Sequence, residues 1–222
     1  MGYQLDFWAL AGYLSLLLQG AGMTLALTAI ASSIGIAISI GGAATARWGV
    51  RWARALIAAY VELIRNTPFL VQLFFIFFGL PSLGVRLTAL QAAILAMTIN
   101  LTAYSIEILR AGIEAVPRGQ REAGLALGVS PVSVFIYVIL PQAVANVYPA
   151  LVSQIVITML ESAVVSQIAV VDLTHVADYI QSRTYRAFET YFAITLIYLC
   201  MAISLRWLLA RAGRRLFSGQ RR

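Results

Sequence analysis

Arg121-Glu-Ala-Gly-Leu-Ala-Leu-Gly-Val-Ser-Pro-Val-Ser-Val-Phe-Ile-Tyr-Val-Ile-Leu-Pro141 is a polar, turn-bearing stretch set between apolar segments long enough to cross a bilayer. Helical character runs from Ile113 to Leu127, strongest after Pro117, with Arg118, Gln120, Arg121 and Glu122 as the polar positions. Gly128 can adopt positive φ and end that helix. Ser130-Pro131 carries the signature of a new helix start, and Pro141 is expected to break the chain at the next membrane entry. The stretch therefore predicts a helix–turn–helix held at one membrane face, able to pass a partner's movement into the apolar segments.

Composition sets the solvent around that stretch. The chain has 222 residues, of which 61% are hydrophobic and 11% charged. A soluble domain carries about 25% charged residues, so lipid must cover much of this surface. The length suits one domain, residues 1–222. All sixteen basic residues are arginine. A Walker A loop needs a lysine for the β/γ-phosphates, so any ATP that drives this chain must bind another subunit. Catalytic residues are not expected. The single Cys200 cannot form an intrachain disulfide, and the lone His175 has no Cys or His neighbour in sequence, so no metal site is expected. Asp6 near the start argues against a cleavable leader.

Five segments approach the roughly 20 apolar residues of a spanning helix. They cover residues 14–46, with a break expected at Gly20-Ala21-Gly22, then 55–80, 88–109, 147–171 and 188–209. Arginine sets their orientation. Arg47, Arg51 and Arg54 follow the first segment, Arg110, Arg118 and Arg121 the third, and Arg211, Arg214, Arg215, Arg221 and Arg222 form the tail. The opposite loops hold only Arg86, Arg183 and Arg186. The N-terminus is thus expected outside and the C-terminus in the cytoplasm. The net charge of +7 then reads as a positive-inside anchor near anionic lipid and not as a nucleic-acid surface. No internal repeat is evident, and five spans do not divide into the equal halves of many secondary transporters.

Glu122-Ala123-Gly124, Gly128 and Val138-Ile139-Leu140-Pro141 fall at the spacing of the "EAA" loop, so that the opening stretch resembles that of ABC importer permeases. The likeness extends along the chain. Glu62-Leu-Ile-Arg65-Asn66-Thr67-Pro68-Phe69-Leu70-Val71-Gln72-Leu73 is similar to the E-x-x-R-x-T-P-L-L-x-Q-L stretch of the polar amino acid subfamily. Asn100-Leu-Thr-Ala-Tyr104-Ser-Ile-Glu107-Ile-Leu-Arg110 resembles its N-x-x-A-Y-x-x-E-x-x-R segment. Pro117-Arg-Gly119-Gln120, Ser182-Arg-Thr184-Tyr185 and Glu189 match as well. One departure stands out: where the family often reads K-D-T-S-L-V-S, this chain reads Leu160-Glu161-Ser162-Ala163-Val164-Val165-Ser166, keeping the acid and losing the lysine.

The resemblance implies an all-α membrane bundle of five or six spans in a bacterial cytoplasmic membrane. Its loop, about residues 111–141, would form a coupling helix on a separate ATPase, with Arg118, Gln120, Glu122, Ala123, Gly124 and Gly128 as the coupling positions. The implied partners are two ATPase subunits carrying the ATP and Mg, a second permease subunit, identical or related, an external solute-binding protein and an amino acid cargo.

Charges inside spans are costly and need partners or a purpose. Glu62 and Arg65 stand i,i+3 and can pair, as can Glu107 and Arg110. Glu161 has no basic residue within a helical turn. Gln154, Thr158 and Glu161 share one helical face at i, i+4 and i+7, and Asn100, Tyr104 and Glu107 make a comparable face. Two readings stand: a hydrophilic cargo cavity lined by Asn100, Tyr104, Gln154, Thr158 and Glu161, or polar contacts that hold spans together. Two wider alternatives are a secondary transporter or channel working without ATP and a membrane scaffold that moves no cargo. Transport in liposomes, with and without an ATPase, separates them.

Overall fold

A computed structural model describes residues 4–217, and these form helices without a strand. Arg221 and Arg222 of the basic tail lie outside the described residues. Four helical runs are long and apolar enough to cross a membrane: Phe7–Trp48, Ala89–Glu114, Pro131–Ile168 and Ala187–Leu216. Arg51–Arg65 and Phe69–Leu83 make a fifth only as a pair bent by 109°.

Three sequence expectations are corrected. Helix α1 runs unbroken from Leu14 to Trp48, so Gly20-Ala21-Gly22 is not a break. A Cβ on Gly20 would lie 2.9 Å from the Leu173 Cα; the glycine lets two backbones approach, as small residues do where helices pack. The single span expected over 55–80 is instead α2 (Arg51–Arg65), then α3 (Phe69–Phe74) leading into a π turn and a 3₁₀ turn. Pro68 explains the bend: it biases Thr67 away from the helical region and supplies no amide. The Asn66 amide and the Thr67 hydroxyl donate to the carbonyls of Glu62 and Leu63 at 2.7 and 2.8 Å, closing the end of α2. Pro141, finally, breaks nothing. Short α6 (Pro131–Val134) passes through a π turn at Phe135–Ile139 into α7 (Leu140–Glu161). Pro141 sits where π changes to α, in the first turn of α7, where a missing amide costs little. The Gln142 side chain donates to the Val138 carbonyl at 2.7 Å.

The remaining helices are α4 (Ala89–Glu114), α5 (Arg118–Ala126), α8 (Leu173–Thr184) and α9 (Ala187–Leu216). The chain divides into two compact units, each assembled from separate stretches.

The first unit holds residues 4–32, Pro68–Thr98 and Val156–Leu205. Its core joins Leu10 and Leu17 to Leu173, Val176, Ala177 and Ile180 of α8 and Ile194 of α9. Asp172 caps α8: its buried carboxylate accepts from the His175 amide at 2.9 Å and from the Tyr198 hydroxyl at 3.4 Å. Glu189, wholly buried, accepts from the Asp6 amide at 3.0 Å and from Arg186 at 2.9 Å. This family-like position therefore clasps the N-terminal segment onto α9.

The second unit holds Ser33–Thr67, Ile99–Ile155 and residues 206–217. Its core gathers Ala43 of α1, Leu109 and Ile113 of α4, Val134 of α6, Ile139 of the π turn, and Ala143 and Leu151 of α7. The Tyr60 hydroxyl donates to the Ile99 carbonyl at 2.6 Å, tying α2 to α4.

Candidate functional site: an exposed helix–turn–helix

From Pro117 to Pro131 the chain folds as its residues predict. Pro117 precedes α5, and the Gln120 amide donates to its carbonyl at 3.0 Å. After α5, Gly128 takes φ +74. The Val129 amide donates to the Gly124 carbonyl at 3.1 Å and the Gly128 amide to Leu125 at 3.0 Å. This is the paired 6→1 and 5→2 bonding of a Schellman stop. Ser130 then caps α6, its hydroxyl accepting from the Ser133 amide at 3.1 Å, with Pro131 at the first helical position.

Two contacts hold this turn to the unit beneath it. Leu125 packs on the core of Leu109, Ile113, Val134 and Ile139. Gly124 lies against Val134, where a Cβ would stand 2.8 Å from Cγ2. The opposite side of the turn is open: Arg118, Gln120, Arg121, Glu122 and Ala123 are exposed. So are Leu127 and Tyr137, at 83% and 78%. Large apolar side chains thus stand beside charges on the open side of an otherwise well-packed turn. Of the six predicted coupling residues, Arg118, Gln120, Glu122 and Ala123 lie on this surface. Gly124 is half-buried beneath it, and Gly128 shapes it.

Two residues of this region escaped sequence reasoning. Arg121 reaches back over the Trp48 ring, 5.9 Å from its centroid, and Arg47 lines the same groove beside α5. Arg47 and Trp48 end α1, more than seventy positions before Arg121, and no local spacing signals the contact.

The predicted cargo residues are placed differently from one another. In the second unit, Asn100 and Gln154 are buried, and Tyr104 is half-buried. Tyr104 lines a groove of about 770 Å³ between α2 and α4, with Arg51, Arg54, Glu62, Arg65 and Glu107. Arg65 is not paired with Glu62 as expected; its guanidinium stands over the Tyr104 ring, 5.5 Å from the centroid. Arg110 does pair with Glu107, and with Glu114 at 2.7 Å. None of the three α7 candidates lines this groove. In the first unit, Thr158 is buried with its hydroxyl unpaired among the described residues. Glu161 is half-buried and forms no ion pair there. It is the last residue of α7, before the 3₁₀ turn Ser162–Ile168. Among the described residues no cluster of His, Cys, Asp and Glu could hold a metal ion.

Apolar spanning helices joined to an exposed, well-capped polar turn define a membrane protein with a helix–turn–helix at one face. Residues 33–218 match the family described as binding-protein-dependent transport system inner membrane component, and the chain belongs to that family. It is 34% identical over 215 residues to the glutamine transport system permease protein GlnP of Escherichia coli (strain K12), covering 96% of this chain and 98% of that one. It is 33% identical over 219 residues to the arginine transport system permease protein ArtQ of Bacillus subtilis (strain 168), with the same coverage. A solved structure described as an amino acid ABC transporter with histidines superimposes with a TM-score of 0.86 at 41% identity, covering 96% of this chain and 100% of that one.

Proposed function

We infer that the chain is the permease subunit of an ATP-driven importer for polar amino acids, working as a multi-pass protein of a bacterial cytoplasmic membrane. The observation that carries this reading is the α5–α6 turn: exposed on its outer side, fixed by a Schellman stop, and rooted in the core of α4 and α7. Such a turn passes an external push to the spans with little loss to local bending. The relatives named for glutamine and arginine transport support the cargo class. Both units are read as parts of one permease domain.

In this reading two ATPase subunits bind ATP and Mg and dock on α5, a second permease subunit completes the pathway, and an external solute-binding protein delivers cargo. The chain itself hydrolyses nothing. Asn100, Tyr104, Gln154, Thr158 and Glu161 are the proposed cargo residues, and the Glu161 carboxylate favours cargo with positive charge. The test is uptake of radiolabelled amino acids into proteoliposomes holding the permease with or without its ATPase. ATP-dependent uptake supports the reading. Uptake without ATPase would make the chain a secondary transporter or channel, and no uptake in either case a scaffold.

A further inference from the structure

We propose that the groove between α7 and α9 in the second unit is a binding site for an anionic phospholipid of the leaflet on the α5–α6 side. The groove encloses about 600 Å³. Arg206 and Arg214 line it with Asn146, and no acidic residue does. Neither arginine has an ion-pair partner among the described residues. Eight residues separate them on α9, roughly 12 Å of rise. Two guanidinium groups so spaced bracket an extended headgroup better than a point ion, and Asn146 adds amide donors for phosphate oxygens. Val152 and Pro149 offer an apolar wall for an acyl chain beside the charges.

The groove is preformed. The Tyr148 hydroxyl donates to the Leu209 carbonyl at 2.8 Å, and the Tyr148 ring fills the space over Gly213, where a Cβ would lie 2.2 Å from Cε1. This contact locks α7 against α9. One turn away Arg211 stands over Trp207, 5.6 Å from its centroid, and Trp207 is 55% exposed. An arginine–tryptophan pair at a helix end marks headgroup depth. Charge argues against a second copy of this chain as occupant. The chain carries +7, and two of this unit's four carboxylates, Glu107 and Glu114, already hold Arg110.

The test is native mass spectrometry of the full chain in mild detergent, titrated with dioleoylphosphatidylglycerol or dioleoylphosphatidylcholine. One phosphatidylglycerol per chain should be retained with a preference of roughly 25-fold, about five-fold for each arginine. The double variant Arg206→Gln/Arg214→Gln should bring the two lipids to near parity, while Arg206→Lys/Arg214→Lys and the distant Arg86→Gln keep most of the preference. Asn146→Trp fills the groove with both charges intact and should also lower retention, which keeps the test decisive if the glutamine pair misfolds. Equal retention of the two lipids by the wild type overturns the proposal, as does an unchanged preference in the double variant. Displacement of the lipid by inorganic phosphate would reduce the site to a simple anion site and overturn it too. Loss of a dimer in the double variant, with lipid retention unchanged, would assign the groove to a second copy instead.

Discussion

Gly128 carries the least replaceable backbone of the turn. At φ +74 any Cβ costs about 1–2 kcal/mol, and a β-branched one costs more. Gly128→Val should therefore misplace α5 while leaving the spans folded. Cargo-stimulated ATP hydrolysis in the reconstituted complex is expected to fall at least five-fold, the ratio that roughly 1 kcal/mol corresponds to; an unchanged rate would remove Gly128 from coupling. At Glu161, Glu161→Gln keeps shape and hydrogen bonding but removes the charge. Uptake of a basic amino acid should weaken by about ten-fold, since hydrogen bonds to charged groups contribute about 1.5–3 kcal/mol. Glutamine uptake should change less. Wild-type uptake of both cargoes would mean that Glu161 serves packing. The turn was legible in sequence because every device in it is local: Pro117, Gly128 and Ser130-Pro131 act within a few residues. Arg65 was misread because its alternative partner, Tyr104, comes from another helix.

At the scale of elements, helix α8 depends on Asp172. Burial pushes this carboxyl up to about 6, although the amides of His175 and Thr174 and the Tyr198 hydroxyl favour the ionised form. That value lies above the roughly 3.9 of an unfolded Asp. The folded form therefore takes up the proton first, and the group's contribution to stability is complete below about pH 4 and lost as pH rises through the folded value. Hydrogen exchange at residues 173–177, corrected for intrinsic rates, should report easier opening of this segment at pH 8 than at pH 5, because opening returns the buried charge to water, and Asp172→Asn should flatten the difference. A pH-independent wild type would show that burial does not dominate at this cap. The helices themselves were readable from apolar length, but their ends and bends were not. Gly20-Ala21-Gly22 looks like a break until the Leu173 backbone is found against Gly20. Pro141 looks like a stop until the π turn before it is seen.

At the scale of the whole molecule, orientation is the open expectation drawn from arginine counts, and Cys200, the single thiol, makes it simple to test. In a Cys200→Ser background, Ser130→Cys in the α5–α6 turn should react with an impermeant maleimide only from the cytoplasmic side, and Ser82→Cys only from outside. The reverse pattern would invert the topology. The broad architecture and the α5–α6 turn were legible in the sequence because hydropathy and capping are local signals. The cargo residues were not separable from packing residues, because burial of Asn100, Gln154 and Thr158 is decided by neighbours distant in the chain. One feature of the α6–α7 junction also fixes angles over a long reach. A π turn holds one residue more than the α register allows, so Phe135–Ile139 acts as a one-residue phase shift between the docking turn and Gln154. Straightening that turn into plain α register, with every residue kept, would swing everything after it by about 100° around its axis. The side chains proposed here to meet cargo would then be dialled away from it, with no change in composition or in the α5–α6 turn.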